Sequence, residues 1–284
     1  MSKERKIKEL VCNIKHIIYV CCGFYNNQSR KRSDFMKKMG ILSIGYCFIT
    51  LIATYAVGHI LLRQFPDGEA LGATVLFFIM NLVPMITSCI FSILTRECAN
   101  VWDFFKNVFF RKENIVIYFM VIAIPITYYG FSAILHNISY TNEGIKALLA
   151  YLPWTLLQGG LEEVGWRWYL QKHIPIKRFI PKMVVISVVW FVWHIPIYVL
   201  PWITAASSNY IVFYLLILGN TFTFGVLGEK TNGAIPCILA HMLIDSYAVL
   251  MLVQSNLHYI VILVVFEIIL SVLANKFIKV KLDR

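Results

Sequence analysis

Runs of about 20 mostly apolar residues, each broken off by a short basic stretch, recur along this chain and decide what it can become. A helix crossing the hydrocarbon core of a bilayer needs about 20 such residues. Eight segments meet that length, at 41–62, 72–94, 115–135, 147–170, 183–200, 210–227, 234–253 and 257–275. Charged residues make up only 14% of the chain, against 59% hydrophobic. About 25% charged is usual for a water-soluble domain, so there is too little charge to clothe an aqueous surface. The expected fold is all-α: a polytopic membrane protein of about eight transmembrane helices, with the lipid bilayer as its first partner. The segment 9–25 is shorter and carries Lys15 and His16, which suits an amphipathic helix lying on the membrane surface. No small-residue cleavage site follows it, so it does not read as a signal peptide.

The positions of the basic residues orient the spans. A formal charge of +11 would suit a nucleic-acid binder if it formed one patch, but here it is divided among the loops, as membrane topology requires. No nucleic-acid partner is expected. With eight spans both ends of the chain share one side, and 24 of the 26 Lys and Arg then fall on it, leaving Arg63 and Lys146 on the other. Positive residues mark the cytoplasmic face, so both termini are expected there and the protein is expected in the cell membrane. Residues 1–39 form a basic cytoplasmic segment with the interfacial helix, and 40–284 form the transmembrane domain. The basic run within 26–38 sets topology and can meet anionic headgroups. The seven cysteines include no C-x-x-C pair. Cys47, Cys89 and Cys237 lie in apolar runs as packing residues, and Cys12, Cys21 and Cys22 lie in the N-terminal segment. Neither a disulfide framework nor a cysteine zinc site is expected.

Ionisable residues inside spans are costly and mark function by default. The fourth span carries Glu162 and Glu163, the fifth His194, the seventh His241 and Asp245, and the eighth Glu267, which has no assigned role. Helix rise places Glu162 about 15 Å, His194 about 18 Å and His241 about 12 Å from the cytoplasmic ends of their spans. Three helices thus bring polar groups to a similar depth in the cytoplasmic half, which points to one shared cavity. Glu163 and Arg167 are four residues apart with the acid first, the favoured ion-pair order. That pairing leaves Glu162 to face the cavity. His241 and Asp245 share a helix face by the same spacing, and Gly159 and Gly160 permit a close helix approach. A desolvated carboxylate with two histidines suits water activation as a general base, with a remaining donor for an oxyanion. Glu162, His194 and His241 equally form a zinc ligand set with water in the fourth position. Both chemistries remain open at this point.

These residues resemble the CPBP intramembrane proteases, a group that includes the type II CAAX prenyl endopeptidases and bacteriocin-processing or immunity (Abi) proteins. Glu162-Glu163-x-x-x-Arg167 is similar to the E-E-x-x-x-R motif, His194 before Ile195-Pro196 to the second motif, and His241-x-x-x-Asp245 to H-x-x-x-N/D, preceded by "TNGAIPCILAH". The signature spans about 145–252. The resemblance implies a transmembrane protease domain that opens to the cytoplasm and cleaves membrane-associated peptides or proteins. It implies Glu162 as the base on water, His194 as its assistant, Glu163 held by Arg167, and His241 with Asp245 at the oxyanion. It leaves a metallo- and a glutamate-dependent mechanism both open. Two departures stand out. Trp190-Phe191 replaces the usual Phe-Gly, adding bulk near His194, and Asp245 replaces the Asn of the eukaryote-like members. The competing functions are a catalytically silent scaffold or immunity protein using the same cavity and, third, a transporter. A transporter needs polar residues on both sides of the midplane, and the outer halves here are nearly bare.

Overall fold

A computed structural model describes residues 39–203, 209–280 and 282. The expected surface helix at 9–25, Cys12, Cys21, Cys22, the basic run within 26–38 and the last residues of the chain lie outside the described residues. In chain order the elements are α1 (Met39–Gln64), α2 (Leu71–Leu94), a short α3 (Val101–Phe109), α4 (Ile115–Ile134), strand β1 (Ile138–Tyr140) and α5 (Ile145–Thr155). Two π-helical stretches, π1 (Leu156–Gly160) and π2 (Val164–Leu170), carry α5 into the single turn α6 (Gln171–His173). Then come α7 (Phe179–Tyr198), α8 (Tyr210–Lys230), α9 (Ile235–Tyr247), strand β2 (Met251–Val253) and α10 (Leu257–Phe277). Asn100, Asn114, Asn209 and Asn256 start α3, α4, α8 and α10. Each side chain accepts a first-turn backbone N–H that would otherwise lack a partner.

Among the described residues six helices, α1, α2, α4, α7, α8 and α10, are long and apolar enough to cross a membrane. Their outward faces carry large apolar side chains, including Ile44 and Phe48 on α1, Phe119 and Ile126 on α4, and Val265 and Ile269 on α10. An apolar exterior of that extent belongs in lipid. The chain is a multi-pass membrane protein.

Two expected spans take another form. The segment 147–170 is not one α-helix but a composite, because neighbours press on it from two sides. A Cβ at Gly159 would lie 2.5 Å from Asp245 Oδ2 on α9, and one at Gly165 would lie 2.6 Å from the Pro84 carbonyl on α2. The backbone between widens to π geometry, with the Leu161 N–H reaching back to the Leu156 carbonyl at 3.0 Å, one residue beyond the α-helical partner. The segment 234–253 is helical only to Tyr247. There the chain turns, and β2 pairs antiparallel with β1, with Ile138 opposite Val253 and Tyr140 opposite Met251. Thr141 Oγ1 donates to the Val249 carbonyl at 2.6 Å and fastens this strand pair.

The loops separate to two ends. At one end Glu97 bonds His173, Lys182 pairs with Glu229 at 2.7 Å, and Glu113 accepts the N–H groups of Asn232 at 2.9 Å and Gly233 at 2.6 Å. The other end holds the β1–β2 pair and the Trp202 indole, which donates to the Phe65 carbonyl at 3.2 Å. Between them α9 is held in register. Tyr129 on α4 donates to the Ile244 carbonyl at 2.7 Å, and Thr155 on α5 meets Ser246 at 2.7 Å. These two contacts determine where His241 and Asp245 stand.

Candidate active site

All the ionisable residues expected from the sequence, Glu267 apart, stand on π1–π2, α7 and α9, which pack around one another. Glu162 and Glu163 occupy the short stretch between the two π segments, and both are buried, as are Arg167 and His241. Burying an unpaired charge is expensive, so the partners of each carboxylate are informative.

Glu163 is fully paired. Its Oε2 accepts from Arg167 Nε at 2.8 Å, and its Oε1 meets His241 Nδ1 at 2.8 Å. The i, i+4 pair expected from spacing is present. The sequence did not indicate that the second oxygen would reach across to α9, 78 residues away. His241 thereby faces Glu163, and Nε2 is its nitrogen on the Asp245 side, 3.6 Å from Oδ2. Gly159 makes room for this pair, since a Cβ there would lie 2.9 Å from His241 Nε2.

Glu162 turns the other way, towards α7. Its Oε2 accepts from the Trp190 indole Nε1 at 3.0 Å. Trp190 also offers its backbone carbonyl to His194 Nδ1 at 2.8 Å, four residues on. One residue therefore ties Glu162 to His194. A ring nitrogen bonded to a carbonyl must carry the proton, so in neutral His194 the lone pair lies on Nε2. Trp190 further stands edge-on to His241, ring centroids 5.5 Å apart, and under the Arg167 guanidinium at 4.9 Å. Phe224 on α8 stacks on the His241 ring at 5.0 Å. By its size alone Trp190 reads as bulk near His194. Its position one helical turn before His194 was the available signal that its carbonyl would meet the ring.

A metal would need several ligands converging on one point. Among the described residues no group of three His, Cys, Asp or Glu is arranged to hold one. Glu162 Oε2 is held by the Trp190 indole rather than turned to either ring, although the Nδ1 bonds of His194 and His241 leave each Nε2 available. The arrangement does not fit zinc held by Glu162, His194 and His241 together.

A cavity of about 470 Å³ opens next to this cluster at the end rich in Lys and Arg, with Arg167 and Gln171 in its wall. Arg167 is thus shared by the buried cluster and the cavity.

No curated protein matches the chain. Residues 144–247 match the family described as type II CAAX prenyl endopeptidase Rce1-like. The match covers a little over a third of the chain and contains all six of Glu162, Glu163, Arg167, His194, His241 and Asp245. The matched segment 144–247 holds the whole buried cluster, and the match agrees with the resemblance carried by its motifs.

Proposed function

We propose that this chain is an intramembrane endopeptidase of the CAAX type, hydrolysing a peptide bond of a membrane-associated peptide or protein. In this reading the composite helix and α9 also traverse the bilayer, making eight spans, and the basic end and both termini face the cytoplasm. The observation that carries the proposal is the division of the two adjacent carboxylates. Glu163 is spent on Arg167 and His241, while Glu162 keeps one oxygen free and is tied through Trp190 to His194.

The chemistry follows from those positions. A water molecule between Glu162 and the His194 Nε2 lone pair gives its proton to Glu162 as its oxygen attacks the scissile carbonyl carbon. The carbonyl electron pair moves to oxygen, on the side of His241 Nε2 and Asp245. When the intermediate collapses, the C–N bond breaks and Glu162 returns the proton to the leaving amine. Glu163 and Arg167 act on this sequence by holding His241 in place. Trp190 does the same for Glu162 and His194. No step here runs through a metal.

The test is cleavage of a prenylated peptide ending in C-a-a-X by the full-length protein in lipid vesicles. Glu162→Gln removes the base and keeps the indole bond, so activity should fall by about a hundredfold or more with the thermal unfolding temperature unchanged. A variant as active as wild type would sink the assignment, and a chain that binds the peptide but never cleaves it is a scaffold. Chelation should leave the rate unchanged. A loss restored by zinc would instead make Glu162, His194 and His241 ligands in a rearranged site.

A further inference from the structure

The short helix α3 carries more apolar surface than the protein covers. Its inner face is Phe104 and Val108, both buried against Cys98, Val164, Ala234 and Ile238. The Phe104 ring meets Trp168 on π2 edge-on at 5.4 Å, and the Val108 carbonyl accepts the Ala234 N–H at 2.8 Å. That seat holds α3 against π2 and the start of α9. At about 100° per residue, Val101, Phe105 and Phe109 form the next stripe around the helix, and Trp102 lies beyond it. Val101, Trp102 and Phe105 are exposed, Trp102 by 61%, and so is Phe110 at the end of the helix, by 70%. An apolar stripe outside the packed face marks a membrane or partner surface. Here α3 joins two spans at the basic end, α2 ending at Leu94 and α4 starting at Ile115, and both of those side chains are exposed as well. It therefore lies where hydrocarbon gives way to headgroups, the level at which Trp concentrates.

Charge around α3 is one-sided. Arg96, Lys106, Arg111 and Lys112 are exposed and form no ion pair among the described residues. The nearby carboxylates are engaged elsewhere. Asp103 Oδ2 accepts the Ala99 N–H at 3.0 Å, Glu97 bonds His173, and Glu113 accepts the N–H groups of Asn232 and Gly233. Two of the cations, Lys106 and Arg111, line an open groove of about 500 Å³ whose apolar walls are Trp102 and Phe110. Lys106 Nζ stands 5.5 Å from the centre of the Trp102 ring, and Arg111 Nη2 donates to Asn107 Oδ1, which steadies the guanidinium. Apolar walls continuous with the lipid-facing surface, beside two unpaired cations, describe a ligand with a hydrocarbon chain and an anionic head. We propose that this groove is a docking site for an anionic phospholipid, its phosphate on Lys106 and Arg111 and its acyl chain over Trp102 and Phe110. Arg grips a phosphate in bidentate fashion and Lys as a point charge. Anionic lipid is concentrated in the cytoplasmic leaflet, the side proposed above for the basic end. The inference needs only the membrane environment, and a chain without protease activity would keep the site.

The test follows tryptophan fluorescence of the full-length protein in phosphatidylcholine vesicles. A minor fraction of the lipid is brominated, which quenches only the indoles it touches, and the difference between wild type and Trp102→Phe isolates the Trp102 signal. Brominated phosphatidylglycerol should quench that signal with about fivefold or higher affinity than brominated phosphatidylcholine. The preference should shrink as added salt screens the two cations. Lys106→Gln combined with Arg111→Gln, both on exposed side chains, should remove the preference and leave quenching by the neutral lipid in place. Equal quenching by the two lipids in wild type overturns the proposal, because α3 then makes only a general interfacial contact. Absence of quenching by either lipid also overturns it, since Trp102 then lies outside the bilayer. So does a preference that survives the double substitution, which would put the lipid elsewhere. Recovery of the Trp102 signal on adding a soluble oligoglutamate peptide is equally fatal, since the occupant would then be an acidic protein segment.

Discussion

Trp190 concentrates the residue-scale logic of the site. Its indole N–H and its backbone carbonyl face different partners, Glu162 and His194, and its ring supports His241 and Arg167. Trp190→Phe keeps an aromatic ring and the backbone carbonyl but deletes the donor to Glu162. A hydrogen bond to a charged or reacting group contributes about 1.5–3 kcal/mol, so kcat should fall about tenfold or more, while the smaller buried ring lowers the unfolding temperature. A variant with wild-type kcat would show that Glu162 needs no such anchor. Identity, order and rough depth of Glu162, His194, His241 and Asp245 were legible in the sequence, because an ionisable residue inside an apolar run stands out. The Glu163–Arg167 pair was legible because it lies within one helix. The contacts of Glu163 with His241 and of Trp190 with Glu162 were not, because they span 78 and 28 residues and depend on how helices pack.

At the scale of the element, the composite helix from α5 to α6 is where local pattern and packing part. Its apolar run reads as an ordinary span, and only the approach of α2 and α9 opens it into π1 and π2. Glu162 and Glu163 stand between the two π stretches, and as adjacent helical residues they point about 100° apart, to different neighbours. Gly165 is central to that approach, because a Cβ would meet the Pro84 carbonyl at 2.6 Å and also the Tyr46 hydroxyl. Tyr46 in turn donates to the same carbonyl at 3.2 Å. Gly165→Ala should therefore destabilise the protein by about 1–3 kcal/mol through overpacking, read as a lower unfolding temperature in detergent. The variant should lose activity with it, since Arg167 lies half a turn away. A fully stable Gly165→Ala protein would mean that α2 yields easily and the π segments have another cause.

On the scale of the whole molecule, cross-loop bonds at the basic end join helices that are distant in sequence. Glu97, in the loop after α2, binds His173 at the end of α6 and faces Lys172. Desolvation alone would raise its carboxyl, but the hydrogen bond from His173 and the charges of His173 and Lys172 outweigh it and hold the group below its usual value. A carboxylate depressed in the folded state adds stability above its unfolded value of about 4.3, and loses it as pH falls through the lower folded value. The stability gap between wild type and Glu97→Gln should accordingly be full above about pH 5 and close as acid is added. A gap independent of pH between 6 and 3 would remove Glu97 from the bonds that hold this end together.

The all-α class, the membrane environment and the motifs within the matched segment 144–247 follow from the chain read as a string. Apolar length, loop charge and motif order are local properties, and local properties survive without coordinates. Packing alone decided the break of the fourth span into π segments, the end of α9 at Tyr247 and the partners that Glu162 and Glu163 find on α7 and α9. It also decided that the Arg167 fork lies buried without an acceptor. Each of these depends on which helix lies against which, and at what distance. In a chain whose apolar residues face lipid as readily as one another, composition cannot encode that choice, and the few buried polar contacts make it.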